Sequence, residues 1–562
     1  MAMKATTVIV LCAAFAACRS SPELPAARFA NAPPVTAVND RRDVAKPPAT
    51  RVFYPAIYNF DGVLGRRLPR ALELPRRQRA LGVNSIDEVP DSTWFTNRNG
   101  ARPLSLDEVR TGPLTTDSPE LHRPWTVRST KAGGASIGFM ITDARGIKYL
   151  LKFDDAGSPE IETAFDVIVD RLLWAAGFNV PEDQIVYFRD DDLVVAPDAV
   201  VKDADGSASG RLDREGLERR LAQVDHGKDG RIRGLVSRWI AGKTLGGHPG
   251  EGVRDDDPND RIPHELRRDL RGAYSIFAWL DHVDVQEGNF VDSWIADPAD
   301  PHRHYVRHYF IDFGRSLSAM ALFQFDWRRG HTYLVDFADI ARTFVTLGLI
   351  DRDWQHRPLD PKPYVGVFDA GTFDPGSWHP DWPAYLPFVT ADRYDKFWGA
   401  KIVGHFTREQ IAAAVDAGQI HDRAARDFIV DTLLARRRQT LAYWFARVNP
   451  LDRFSAVTTD AGTRLCFDDL AIVDQLAGAG PTRYQIRAYT MRGESFGAVA
   501  DVPADATGHT CTIVPLALPF DHDGYTILRV VTSRSAYAGE TDVHVALARD
   551  TGLPRVIGLW RP

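Results

Sequence analysis

Sulfur is scarce in this chain: its 562 residues include 4 Cys and 5 Met. Cys12 falls inside an apolar N-terminal run and Cys18 just after it, so only Cys466 and Cys511 remain for the folded body. Neither has Cys-x-x-Cys or other metal-ligand spacing, which argues against a zinc site built from cysteines. Basic excess is also missing. Against 68 Lys and Arg stand 75 Asp and Glu, a net charge of −7, so the chain has no electrostatic footprint for nucleic acid. The apolar run Val8 to Ala17 is too short to cross a bilayer. Gly242-Lys243-Thr244 ends like a phosphate-binding Walker loop, but Ser237 stands where that loop needs Gly. There is no Gly-x-Ser-x-Gly elbow, no His-Glu-x-x-His helix and no solenoid-type repeat.

The N-terminus reads as a targeting segment. Lys4 is the one charge before the apolar run, and Ala16-Ala17 precede Cys18 as in a bacterial lipoprotein signal, which predicts cleavage before Cys18 and acylation of its thiol. Phe15 replaces the usual Leu, so an ordinary secretory signal is the alternative; both imply export. Arg19 after the cysteine resembles outer-membrane sorting. The expectation is a cell-envelope lipoprotein held to the membrane through Cys18. An exported compartment permits a Cys466–Cys511 disulfide, with two buried thiols as the alternative.

Residues 18–50 form a Pro/Ala-rich stretch expected to act as an extended tether, and 51–120 an N-terminal embellishment of poor periodicity. From 121 to 245 strand patterns dominate: a hairpin over Ser136 to Phe153, then a helix opened by Pro159 with Ile161, Phe165, Ile168, Val169, Leu172 and Leu173 at helical spacing and Gly177 as its stop. Residues 246–450 begin with a Gly/Asp-rich loop and turn mainly helical, over Pro263 to Leu280, Tyr333 to Leu349 and Thr407 to Arg447. Alternating segments over 455–562 predict a small β-sandwich. The expected class is α+β, a two-lobed protein-kinase-like domain followed by an all-β domain.

Chemistry concentrates in an ordered set. Lys152 closes the strand Tyr149-Leu150-Leu151-Lys152, where a bare ammonium needs a partner. Glu160, Glu162 and Asp166 on the next helix can supply one, and 162 and 166 share a face; Glu162 is preferred. Asp284 precedes Asn289 by five residues, and Asp312 follows the strand Tyr309-Phe310-Ile311 and precedes Phe313-Gly314. A lysine can hold phosphate oxygens, an Asp/Asn pair can take a hydroxyl proton and ligate Mg²⁺, and a second aspartate can hold the metal against the phosphates. Gly133 and Gly134, at the hairpin start, would let backbone N–H groups approach phosphate, although an ordinary turn explains them as well. Asp and Asn are common in loops for backbone reasons, so each motif is weak alone and the order carries the reading. His302, His304 and His308 alternate on a predicted strand, and a solvated hairpin is the expectation.

Leu150-Leu151-Lys152-Phe153, the run Ala175-Ala176-Gly177-Phe178-Asn179-Val180-Pro181-Glu182 and Ile311-Asp312-Phe313-Gly314 resemble the atypical bacterial kinases of the HipA type, and more distantly spore-coat and phosphoinositide kinases, over about 130–445. The chain is also similar to exported kinase-like bacterial proteins of unassigned role. The resemblance implies Lys152 on nucleotide phosphates, Asp284 as catalytic base, and Asn289 with Asp312 on Mg²⁺ or Mn²⁺. The loop reads Asp281-His282-Val283-Asp284 rather than Asn-x-Asp-Asp-His, so Asp281 competes for the base role. The expected activity is transfer of phosphate from ATP or a related nucleotide to a protein or small-molecule hydroxyl. The alternatives are a kinase-fold scaffold without turnover and, further off, a metal-assisted hydrolase.

Overall fold

The computed structural model describes residues 24, 27–66, 78–133, 136–155, 157–356, 361–535 and 537–562; Cys18 and Gly134 lie outside them. The chain divides into two compact units. The larger comprises Val35–Asn84 with Glu88–Val448, the smaller Asn449–Pro562 with Ser85–Asp87 and the described residues before Val35.

In the larger unit, strands β1 (Trp125–Thr130), β2 (Gly138–Thr142), β3 (Lys148–Lys152), β4 (Glu182–Phe188), β5 (Leu193–Lys202), β6 (Ala208–Arg211) and β7 (Ile232–Arg238) form one sheet in the order β4-β7-β3-β2-β1-β5-β6. Period-two alternation sends Trp125, Val127, Phe139, Ile141, Tyr149 and Leu151 into a common core. Only β1 and β5 pair in parallel; the other neighbours are antiparallel.

Helix α1 (Ile161–Ala176) is buried at every position except Trp174. It starts two residues after Pro159 because Glu160 takes left-handed backbone (φ 65°), its carboxylate accepting the His421 backbone N–H at 3.0 Å. The remainder is mainly helical: α2 (Arg268–Trp279), α3 (Arg393–Gly404), α4 (Arg408–Ala417) and α5 (Arg423–Phe445). Asp392, Thr407 and Asp422 cap α3, α4 and α5 through side-chain oxygens on free N–H groups. The expected continuous helix from 407 therefore breaks into α4 and α5, and that over 333–349 shortens to Phe337–Val345. A small sheet, β8 (Lys243–Thr244), β9 (Phe290–Asp297) and β10 (Asp300–Phe310), carries the chain from the 284–289 loop to Asp312.

The Pro/Ala-rich stretch departs from the expected free tether. Over 35–50 it is bonded along the larger unit: Val38 N–H to the Asp91 carbonyl at 2.9 Å, Thr93 N–H to Asp40 at 2.8 Å and Val44 N–H to the His304 carbonyl at 2.7 Å. Backbone groups satisfied this way hold a sequence that has no core of its own.

The smaller unit packs a three-stranded sheet, β11 (Leu451–Thr459), β12 (Gly462–Asp469) and β15 (His509–Val514), against a five-stranded one of β13 (Thr482–Thr490), β14 (Ser495–Pro503), β16 (Thr526–Arg534), β17 (Tyr537–Leu547) and β18 (Pro554–Trp560). Leu451, Leu465, Phe467 and Val514 meet Tyr484, Ile486, Val530 and Val543 in one core, a β-sandwich. Cys466 and Cys511 are opposite one another on β12 and β15 and are disulfide-bonded. Among the described residues, no helix is long and apolar enough to cross a membrane.

Candidate active site

Three segments far apart in sequence converge in the larger unit. Lys152, at the end of β3 and 6% exposed, places Nζ 2.6 Å from Asp312 Oδ1 and 3.3 Å from Asp166 Oδ2. Burial opposes its charge, but the Asp166 and Asp312 carboxylates outweigh burial and hold its pKa well above that of an ordinary lysine. The same ammonium is the main cause that brings Asp312 down to about 2. Asp312 sits in left-handed backbone (φ 66°) with its side chain 48% exposed, so one oxygen meets Lys152 and the other is open.

The helix partner is Asp166, not the preferred Glu162. Asp166 Oδ1 also accepts the Phe313 N–H at 3.1 Å, tying α1 to the Asp-Phe-Gly turn. Glu162 instead pairs with Arg315 at 3.1 Å, and burial pushes its carboxyl up to about 7. Both acids project from one helix face, but Lys152 reaches only the one a turn further in. Gly314 is required by closeness: a Cβ there would fall 2.7 Å from Glu162 Cγ.

In the 281–289 loop the two candidate bases separate. Asp281 Oδ1 accepts the Trp378 indole N–H at 2.9 Å and Oδ2 the Ser318 hydroxyl at 2.6 Å, so both oxygens are engaged in a residue 5% exposed. Asp284 Oδ1 accepts the Gln286 amide at 2.9 Å, and a hydrogen bond from the Asn289 side chain favours its ionised form. Burial first, then the charge of Asp312, raises Asp284 to about 6, and Arg329 and Arg315 oppose the rise. The Asn289 amide nitrogen donates to the Asp284 carbonyl at 2.7 Å, which leaves its amide oxygen for another partner. The Ile311 N–H donates to the Asn289 carbonyl at 3.0 Å, locking the loop beside the residue that precedes Asp312.

Several charged residues here were not singled out from sequence. Lys131, just before Gly133, donates to Ser136 at 2.9 Å; burial and the nearby Lys152 lower its pKa, and Asp312 and Glu162 are also close enough to act on it. It is a second ammonium near Lys152 and Asp312, signalled only by its place beside the glycines. Arg315 directly follows Asp-Phe-Gly. Arg329 pairs with Asp381, which burial raises to about 7, and both act on Asp284. Gly133 takes φ 65° and faces the Ala204 carbonyl in the β5–β6 turn.

The alternating histidines do not form a solvated hairpin throughout. His308 is buried, stacked on Trp94 at 3.4 Å, with Nδ1 2.7 Å from Asp292. His248, Asp292 and His308 bring their ligand atoms within 4.8 Å of one another. However, both imidazoles share one Asp292 oxygen and Arg254 holds the other at 3.1 Å, so the carboxylate is already satisfied beside a buried guanidinium. A cation added there would face that charge, and the cluster is a packing network.

A strand lysine paired with an acid of the next helix, an Asp/Asn loop after a buried helix, and an Asp-Phe-Gly aspartate against the lysine define a protein-kinase-like domain, followed in this chain by an all-β domain. No protein-family model matches the chain, and no curated protein does. The solved complex of Rio2 kinase with ADP/Mg²⁺ and phosphoaspartate from Chaetomium thermophilum matches 52% of this chain and 72% of that one, at 16% identity and a TM-score of 0.19.

Proposed function

We propose that this chain is an exported, envelope-anchored kinase-like enzyme that transfers the γ-phosphoryl group of ATP or a related nucleotide to a hydroxyl on a protein or small molecule, with Cys18 as its lipid-bearing residue. The observation that carries the reading is the 2.6 Å contact between Lys152 and Asp312, 160 positions apart, beside the loop that carries Asp284 and Asn289.

The open oxygen of Asp312 and the amide oxygen of Asn289 are hard donors of the type Mg²⁺ or Mn²⁺ takes. When bound, the ion would neutralise charge on the phosphates. Lys152, with Lys131 behind it, would hold phosphate oxygens, and Asp166 would keep Lys152 charged and aimed. The acceptor oxygen attacks the γ-phosphorus, the bond to the β-phosphate oxygen breaks, the diphosphate leaves, and the hydroxyl proton passes to Asp284. Asp284 suits that role because it is partly exposed and burial raises it to about 6, whereas Asp281 is buried with both oxygens held by Trp378 and Ser318.

The test is phosphate release and transfer from γ-labelled ATP by the purified protein, with Asp312→Ala alongside. Label moving to an acceptor with wild type and not with the variant supports the reading. Wild type that binds a partner equally with and without Asp312 and never consumes ATP supports the scaffold instead.

A further inference from the structure

The chain N-terminal to the kinase-like sheet runs across the loop that holds Asp284 and Asn289. The Arg254 guanidinium donates to the Ala49 carbonyl, the Arg51 N–H donates to the Leu245 carbonyl at 2.8 Å, and the Arg51 side chain pairs with Glu287 at 3.2 Å. Phe53 lies on Gly288: a Cβ at that glycine would come 2.7 Å from the ring. Tyr58 meets Phe53 edge-on at 5.3 Å. Burial, then the charge of Glu287, raises its phenol pKa, and Asp284 is near enough to add to the effect. Beyond it, Gly62 packs on Ala384 and Arg66 pairs with Glu251 at 2.8 Å. Residues 49–66 thus touch the loop at 287 and 288, between the candidate base and the candidate metal ligand.

We propose that this segment is a strap that fixes the geometry of the 284–289 loop, with Phe53 as its positioning residue through contact with Gly288. The loop's own ties are Asn289 N–H to the Gln286 carbonyl at 2.9 Å, the Gln286 and Asn289 side chains on Asp284 and the Ile311–Asn289 bond, with Gly250 N–H on the Glu287 carboxylate at 3.2 Å; at Gly288 itself the Phe53 ring is the close neighbour. The inference rests on Asp284 and Asn289 forming the transfer loop only for its catalytic consequence; the mechanical claim stands apart from it.

The experiment is hydrogen exchange on the full chain, read for amides 286–290 and 311, with helix α2 as internal control. Phe53→Ala should speed exchange at 286–290 and 311 at least tenfold and leave α2 unchanged, and Phe53→Leu should restore most of the protection. Gly288→Ala should damage the loop alone and do less added harm in the Phe53→Ala background, because the new methyl then has room. Unchanged exchange in Phe53→Ala, or additive effects of the two substitutions, would overturn the proposal. Nucleotide-dependent transfer by the same proteins separates the two ideas. Altered exchange with no wild-type transfer refutes the enzyme reading and leaves the strap. Transfer with unaltered exchange does the reverse.

Discussion

Asp281 and Asp284 are three positions apart and meet opposite surroundings. Asp281 spends both oxygens on Trp378 and Ser318, so Asp281→Ala strands a buried indole N–H, at a cost of about 1–3 kcal/mol. The expected outcome is a lower Tm, read by calorimetry. Asp284→Asn should leave Tm nearly unchanged and lower kcat by about 10²–10⁴. Because burial holds Asp284 at about 6 and the base must be ionised, the wild-type rate should fall as pH drops through about 6 and level off above it. A profile flat from pH 5 to 8 would remove Asp284 from the role. Lys131→Ala should raise the KM for nucleotide about tenfold with a smaller change in kcat, the loss of one charge-assisted phosphate contact being worth roughly 1.5 kcal/mol; steady-state kinetics at saturating acceptor would show it.

Elements differ in how far their sequence announced them. Strand β3, helix α1 and the end of β10 at Tyr309-Phe310 were legible because alternation or helical spacing coincides with burial, although the strand stops one residue short of Ile311. Lys152 and Asp312 were legible because a charge inside apolar text needs a partner. Which acid meets Lys152 was not, since Glu162 and Asp166 share a face and only the depth of α1 decides between them. Nor was the burial of His308, fixed by Trp94 and Asp292 from elsewhere in the chain. The strap was illegible because its poor periodicity reflects backbone and ring contacts with other elements. Gly314→Val tests the helix–turn contact: with a Cβ placed 2.7 Å from Glu162 Cγ and 3.2 Å from the Glu162 carbonyl, the Glu162 side chain or the turn must give way, and nucleotide affinity should drop while the sandwich keeps its own transition. In the smaller unit, removing the Cys466–Cys511 bond with Cys466→Ser and Cys511→Ser should destabilise the sandwich by about 2–4 kcal/mol, seen as an earlier unfolding transition under non-reducing conditions.

At the scale of the whole molecule, a kinase-like unit and a β-sandwich share one chain, whose proposed anchor is Cys18. Cys18→Ala should abolish incorporation of labelled fatty acid and shift the protein from the detergent phase to the aqueous phase; continued lipidation would refute anchoring at that residue. The central claim is that Lys152 and Asp312 form a nucleotide–metal site. Calorimetric titration of the purified protein with Mg·ATP tests it most directly. Saturable binding by wild type, lost in both Lys152→Ala and Asp312→Ala while each variant remains folded, is the predicted result. Binding of equal strength in all three proteins, or none in any, would contradict it.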